Sequence, residues 1–285
     1  MSLITAFDPW KSNLCTCPAK YSLSAYTGCG HGCLYCYASS YIRDFSRPRE
    51  KKDFLVRLNR EIKKIPKGAL LTMANSSDPY LPLEKKLKLT RKALKIITNY
   101  ELKINIVTKS SLILRDIDLL KDLKSAVVNI SLTTLDKTLI KKLEPHAASP
   151  EERLETIGKL SSWVPVVVRF DPLIYPLNTN ETNTLVKKIK VLGAKQIITS
   201  TYKIKTDNFK KMTAVFPQYK ELWNKLYLKQ GEKKGGYTYL PENLRKELIT
   251  KVREAAACEG IKFSSCREGF GNLNTAECDG SSFLK

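Results

Sequence analysis

Residues 26–37 read Tyr-Thr-Gly-Cys-Gly-His-Gly-Cys-Leu-Tyr-Cys-Tyr, and this stretch decides how the rest of the chain is understood. It sets Cys29, Cys33 and Cys36 at the spacing C-x3-C-x2-C. Cysteine thiolates are the usual ligands of iron–sulfur clusters. A cubane cluster has four irons, so three cysteines leave one iron open to a substrate or cofactor. Gly28, Gly30 and Gly32 let the backbone wrap closely around such a group, because glycine tolerates positive φ. Two other readings stay open on these residues alone. A structural zinc wants four ligands, usually as two close pairs, so His31 or a distant cysteine would have to join. The three thiols could also carry no ligand.

Working outward, short apolar runs bounded by polar or turn residues recur along the chain. They predict strands over 23–26, 69–73, 104–108, 126–132, 164–170 and 196–200. Helical patterns fall between them, over 38–42, 53–65, 90–99, 113–123, 137–143, 150–162 and 181–192. In the second of these, Leu55, Leu58 and Ile62 mark one apolar face. The Thr90 hydroxyl is placed to cap the third. Strands alternating with helices indicate βαβ units and a parallel sheet, with right-handed crossovers. Six units make either a doubly wound sheet or a partial (β/α)6 barrel. The cysteine loop follows the first strand, at the end of the sheet where such barrels place their chemistry.

The chain has 285 residues and 42% hydrophobic content, enough for a barrel-sized core. No apolar run is long enough to span a membrane, and no signal peptide is evident at the start. A cytoplasmic location is expected. Eight cysteines then point to metal or redox chemistry more than to disulfides, hyperthermophile cytosol excepted. The formal charge is +21, from 49 basic and 28 acidic residues. Such a field concentrates polyanions. A lysine-rich thermophile surface usually gains glutamate as well, so the imbalance favours a nucleic-acid partner.

Residues 203–257 look helical and interleave aromatics with lysines. Groups of that kind can bind phosphate and stack bases, although large aromatics are more often core. The chain divides into a lead-in over 1–22, an α/β core over 23–202 and a mainly helical, cysteine-containing extension over 203–285.

With these segments in view, the chain resembles the spore photoproduct lyase-like branch of the radical S-adenosylmethionine (SAM) superfamily, also labelled DNA repair photolyase-like. The match runs from about Tyr21 to Gly193. It is carried by the cysteine loop, Ser77-Asp78-Pro79-Tyr80, Thr90-Arg91, Thr108-Lys109-Ser110, Ser131-Leu132-Thr133-Thr134, Glu144-Pro145 and Arg153. The resemblance implies a partial (β/α)6 TIM-like barrel. It implies that Cys29, Cys33 and Cys36 ligate a [4Fe–4S] cluster whose open iron chelates SAM, with Tyr35 near the adenine. It also implies an electron donor such as a ferredoxin or flavodoxin. Lys109 and Ser131 resemble positions that contact the SAM carboxylate and ribose, roles that suit a cation and a hydroxyl. Asn75, Ser76 and Ser77 stand where many members carry a Gly-Gly-Glu segment for the SAM amino group. Arg153 either reaches SAM or covers a helix surface. Residues 73–83 contain no cysteine, whereas the lyase that names the branch uses one there to return hydrogen to its product. The resemblance therefore implies reductive SAM cleavage and hydrogen abstraction rather than that repair reaction. Together with the charge, it favours a nucleic-acid substrate, with tRNA base modification ahead of DNA repair. The alternatives are a zinc- or cluster-stabilised nucleic-acid-binding module without catalysis, and modification of a protein or small molecule.

Five cysteines remain. Cys258, Cys266 and Cys278 lie in or near a loop-rich tail, and Cys15 and Cys17 near the other terminus. Chain ends often lie close together. Three tail cysteines plus Cys15 or Cys17 would supply four thiolates, enough for a second [4Fe–4S] cluster or a zinc ion. The alternative is that they are small core residues.

Overall fold

The computed structural model describes residues 2–7, 14–73 and 76–285. Eight strands form one sheet: Thr5–Ala6 (β1), Tyr21–Leu23 (β2), Leu70–Met73 (β3), Lys103–Thr108 (β4), Ser125–Ser131 (β5), Val166–Leu173 (β6), Gln196–Thr201 (β7) and Lys262–Ser265 (β8). They lie side by side in sequence order. β2 to β8 are all parallel, and β1 pairs antiparallel on the outer edge of β2. Sequential parallel strands need crossovers on one face. These are supplied by the helices Phe54–Glu61 (α1), Leu89–Ile97 (α2), Ile117–Asp122 (α3), Lys137–Leu143 (α4), Pro150–Ser161 (α5), Thr182–Val191 (α6), Thr206–Val215 (α7) and Glu242–Cys258 (α8). Their apolar stripes, such as Ala93, Leu94 and Ile97 of α2 and Leu248, Ile249 and Val252 of α8, are buried. No helix among the described residues is long and apolar enough to cross a membrane.

The six expected strands all form, the first of them nearer the N-terminus as β2. A hairpin, Glu232–Lys234 with Tyr237–Tyr239, interrupts the stretch over 203–257 read as helical, and the main sheet gains two strands that were not expected. β8 adds a seventh parallel strand from beyond residue 203, carried there by α8, and β1 covers the opposite edge. The expected helix over 38–42 is only a short 3-10 turn, Ala38–Ser40. Thr90 does not cap α2: its hydroxyl donates to the Pro79 carbonyl, and its backbone N–H donates to Glu84 Oε2 at 2.9 Å. The interleaved aromatics are mainly core, with Tyr202, Phe216, Trp223, Tyr227, Tyr237 and Tyr239 all buried.

The inner face of the sheet is polar where the sequence alternates, and the C-terminal tail lies against it. Asn105 of β4 and Asn129 of β5 both donate to the Asp279 carbonyl, at 2.8 and 3.1 Å. Gln196 of β7 donates to the Glu277 carbonyl at 2.8 Å. Phe283 and Leu284 pack on Val127, Val167 and Ile198. Gly280 is required at this crossing: its φ is +85°, and a Cβ there would stand 2.9 Å from Val167 Cγ2. Lys20, just before β2, pairs with Asp279 at 2.5 Å. The two ends of the chain therefore meet inside the curve of the sheet.

The first residues are pinned by one carboxylate. Glu61 Oε2, at the end of α1, accepts from the Ser2 hydroxyl (2.7 Å) and from the backbone N–H of Leu3 (2.6 Å) and Ile4 (3.0 Å). Partial burial alone would raise its pKa, but these donors outweigh it and bring the carboxyl down to about 2. A depressed folded-state pKa gives stability that is complete above the unfolded value, about 4.3, and lost as pH falls through the folded value. Glu61→Gln is expected to lower the amide-exchange protection of Leu3 and Ile4, relative to the intrinsic rate, at pH 7, and acid below about pH 4 should lower it in the parent. Unchanged exchange in both cases would remove Glu61 from this role.

Candidate metal centre and its cavity

The cysteine loop is clamped at its ends by a two-strand pairing, Tyr26 opposite Glu50 and Thr27 opposite Arg49. Between them the chain makes a tight coil. Cys29 N–H donates to the Phe45 carbonyl at 2.8 Å, and Cys36 N–H to the Cys33 carbonyl at 3.2 Å. Gly28 has φ +82°, and a side chain there would stand 2.7 Å from the Phe45 carbonyl oxygen. Gly32 has φ +70° and lies against Pro145 and His146. His31 fastens the coil to the sheet, with Nδ1 3.2 Å from the His146 carbonyl and Nε2 3.2 Å from Asp78 Oδ2. Asp78 in turn accepts from the Thr108 hydroxyl (2.7 Å) and the Lys109 N–H (2.7 Å) at the end of β4.

Cys29, Cys33 and Cys36 line a cavity of about 140 Å³ with Ser77, Lys109 and Ser131. Burial pushes the Cys29 thiol up to about 12, with the Asp78 charge adding to it, and pushes Cys33 and Cys36 up as well. Bare thiolates are therefore disfavoured here, and a positive metal core would supply the missing counter-charge. Among the described residues, no three His, Cys, Asp or Glu side chains converge on the position of one ion. A cubane does not ask for that, since each thiolate holds a different iron. Three partly buried thiols on a glycine coil thus fit a [4Fe–4S] cluster with one open iron better than they fit zinc.

A larger cavity of about 520 Å³ adjoins the first and shares Cys33, Cys36, Ser76, Lys109 and Ser131 with it. It opens at the C-terminal ends of the parallel strands, where side chains from Ser22 of β2 to Thr201 of β7 face inward. Tyr35 lines it and is held by its hydroxyl, which donates to Glu144 and lies 3.1 Å from the Thr133 hydroxyl. Its carbonyl accepts from Asn208 at 3.1 Å, which ties the coil to α7. Lys109 sits over the Tyr35 ring at 5.5 Å and 3.4 Å from Glu144 Oε1. Tyr35, Ser77, Lys109 and Ser131 are thus all at the cavities. Asn75 lies outside the described residues.

Arg153 is neither at the cavity nor on a surface. It is fully buried behind β5, donating to Glu144 Oε2 at 2.5 Å, to the Ser131 carbonyl at 2.9 Å and to the Ala148 carbonyl at 2.9 Å. It acts on the site through Glu144, whose importance the sequence did not reveal beyond the Glu144-Pro145 pair. Burial alone would raise Glu144, but the Arg153 and Lys109 cations and the Tyr35 and Thr133 hydroxyls hold it well below the carboxylate range. Cys258 is also misplaced by the sequence reading. It is exposed at the end of α8, beyond the buried Ala255 and Ala256, and joins no cysteine group. Cys15, Cys17, Cys266 and Cys278 instead line the 520 Å³ cavity together.

Sequence and fold comparisons agree with this geometry. Residues 23–189 match the family described as the radical SAM superfamily. An uncharacterised protein of Methanocaldococcus jannaschii is 35% identical over 144 residues, covering 50% of this chain and 55% of that protein. An uncharacterised protein of Acidianus two-tailed virus is 29% identical over 199 residues, covering 62% and 65%. The chain therefore spans between about half and two thirds of the length of these relatives. Among solved structures, a spore photoproduct lyase mutant with bound AdoMet and dinucleoside spore photoproduct superposes with TM-score 0.68 at 16% identity, over 90% of this chain and 79% of that one. Streptococcus suis SuiB bound to S-adenosylmethionine gives TM-score 0.57 at 14% identity, over 90% and 53%. At such identities these two show a shared fold.

Proposed function

The chain belongs to the radical SAM superfamily, and from that premise we propose that it binds a [4Fe–4S] cluster and SAM and acts as a hydrogen-abstracting enzyme on nucleic acid. The observation that carries the proposal is the cavity pair: three partly buried thiols line a small cavity that shares Cys33 and Cys36 with a 520 Å³ chamber edged by Lys109, Ser131 and Tyr35. When bound, the reduced cluster and SAM supply a 5′-deoxyadenosyl radical. The protein's part is to hold and shield. Lys109 offers a cation to the SAM carboxylate, and Glu144 fixes where that ammonium stands. Ser131 offers a hydroxyl to the ribose, and the Tyr35 ring forms the wall beside the adenine. The tail against the inner face of the sheet closes the chamber from below and excludes water. The electron comes from a donor such as a ferredoxin or flavodoxin, and the setting is the cytoplasm.

The substrate class is supported by the chamber's outer rim. Arg267, Lys203, Tyr37, Tyr41 and Tyr237 line it, with Tyr37 and Tyr41 stacked at 6.3 Å between ring centres. Lys205 stands 4.6 Å and the Arg267 guanidinium 5.2 Å from the Tyr237 ring centre. Nε and Nη2 of Arg267 are buried without a hydrogen-bond partner. Two donors without partners on a side chain against the buried Tyr237 ring, with the exposed Tyr37 and Tyr41 rings lining the same chamber, suit a phosphate with its base. We place RNA, and tRNA in particular, ahead of DNA.

Binding of tRNA and duplex DNA across salt concentrations tests this reading. For three or four phosphate contacts to single-stranded RNA, affinity should drop roughly ten- to fifty-fold between 50 and 200 mM salt. Arg267→Met should weaken binding and flatten that slope. No binding of either nucleic acid at low salt would move the substrate to small molecules or protein.

A further inference from the structure

Four cysteines outside the motif come together on the far wall of the same chamber. Cys17 Sγ lies 3.4 Å from Cys278 Sγ. Cys15 is hydrogen-bonded to Cys17, and Cys266 to Cys278, so the four thiols run in a row from Cys15 through Cys17 and Cys278 to Cys266. They come from three separate segments: the lead-in to β2, the turn after β8, and the tail. All four are free thiols.

Two cations stand beside these thiols, each also paired with a carboxylate. The Lys20 ammonium reaches Cys17 as well as Asp279. The Arg169 guanidinium, from β6, bonds to Cys266 as well as to Asp171 at 2.7 Å. Lys20 and Arg169 can thus donate to the sulfurs of a bound cluster while each keeps its own carboxylate partner. The backbone also approaches closely. Gly269 has φ +86° and lies against Leu14, and a side chain at Gly271 would stand 3.2 Å from Thr16 Cγ2. Glycines thus fold the tail directly onto the segment that carries Cys15 and Cys17.

We infer that Cys15, Cys17, Cys266 and Cys278 ligate a second iron–sulfur cluster, facing the Cys29, Cys33 and Cys36 site across the chamber. A row of thiols that does not converge on one ion position suits a cluster, in which each thiolate takes its own iron, rather than a single zinc. Four protein thiolates leave no open iron, so this centre does not ligate SAM or substrate. The inference rests on the radical SAM reading only in its location, and its test is independent of SAM cleavage.

The test is iron, sulfide and zinc analysis, with electron paramagnetic resonance of the reduced state, on anaerobically reconstituted full-length chains. The parent should hold about eight irons and the Cys29→Ala/Cys33→Ala/Cys36→Ala variant about four, with a cluster signal retained. Cys266→Ala/Cys278→Ala should keep about four irons and the signal of the other site. Cys258→Ala should match the parent. Circular dichroism establishes that each chain is folded, and if the double variant is not, Cys15→Ala alone should shift the second signal, because it leaves that cluster three thiolates and one open iron. A folded triple variant that holds no iron, that holds one zinc instead, or that shows Cys17 and Cys278 joined as a disulfide after anaerobic reconstitution would overturn the assignment. If the parent held iron only at this second site, the inference would stand while the proposed function failed.

Discussion

Replacing Glu144 by glutamine is expected to destabilise the protein by about 3–5 kcal/mol, because it leaves a buried guanidinium without its counter-charge. Arg153 is fully buried, and its other acceptors are the neutral carbonyls of Ser131 and Ala148. Arg153→Met should be nearly as costly for the converse reason: Glu144 would keep only Lys109, at 3.4 Å, as a cationic partner. Removing both together should cost well under the sum of the two, since an apolar pair of similar volume can replace a buried ion pair at little loss. Urea titration of the parent, the two single variants and the double variant gives the coupling energy. If Glu144→Gln lay within about 1 kcal/mol of the parent, the pair would not be the buried charge centre described above. A readout at the site follows as well. Because Glu144 positions Lys109 and Tyr35, any folded Glu144 variant should bind SAM more weakly while retaining its iron.

The network of Glu144 and Arg153 shows where sequence reading stops. Both residues lie in the segments that carry the family resemblance, but nothing in their spacing says that the arginine turns inward from α5. An arginine on a helix is ordinarily exposed, and only the packing of α5 against β5 reverses that. Lys109 and Ser131 were singled out by the family resemblance, and each stands at or near the end of an expected strand, where parallel sheets place their sites. β8 was not legible. Its sequence, Lys-Phe-Ser-Ser, has a single apolar residue, and its two buried serines are held by hydrogen bonds, Ser264 with Gln196 and Ser265 with Asn274. β1 is two exposed residues long and carries no pattern. The tail cysteines were recognised as a group, but their membership depends on a helix end. Cys258 completes α8 on the solvent side, whereas both Cys15 and Cys17 reach the tail. Spacing alone does not distinguish those outcomes. The net charge, by contrast, indicates a kind of partner and says nothing of the fold.

The other large effect concerns the three motif cysteines. In the proposed function each would supply a separate iron with its protein ligand, so loss of any one would open a second iron to solvent, and loss of all three would remove the site. The coil itself should survive, since it is held by the Phe45 and His146 carbonyls, Asp78 and the Tyr26–Glu50 pairing rather than by the thiols. The Cys29→Ala/Cys33→Ala/Cys36→Ala variant is therefore expected to fold and to lose SAM chemistry altogether. The decisive measurement is 5′-deoxyadenosine released from SAM by the anaerobically reconstituted, chemically reduced parent chain. It should form together with methionine, and fall to the no-protein background in the triple variant. Tightly bound zinc at these cysteines and no 5′-deoxyadenosine from the parent would contradict the proposed function.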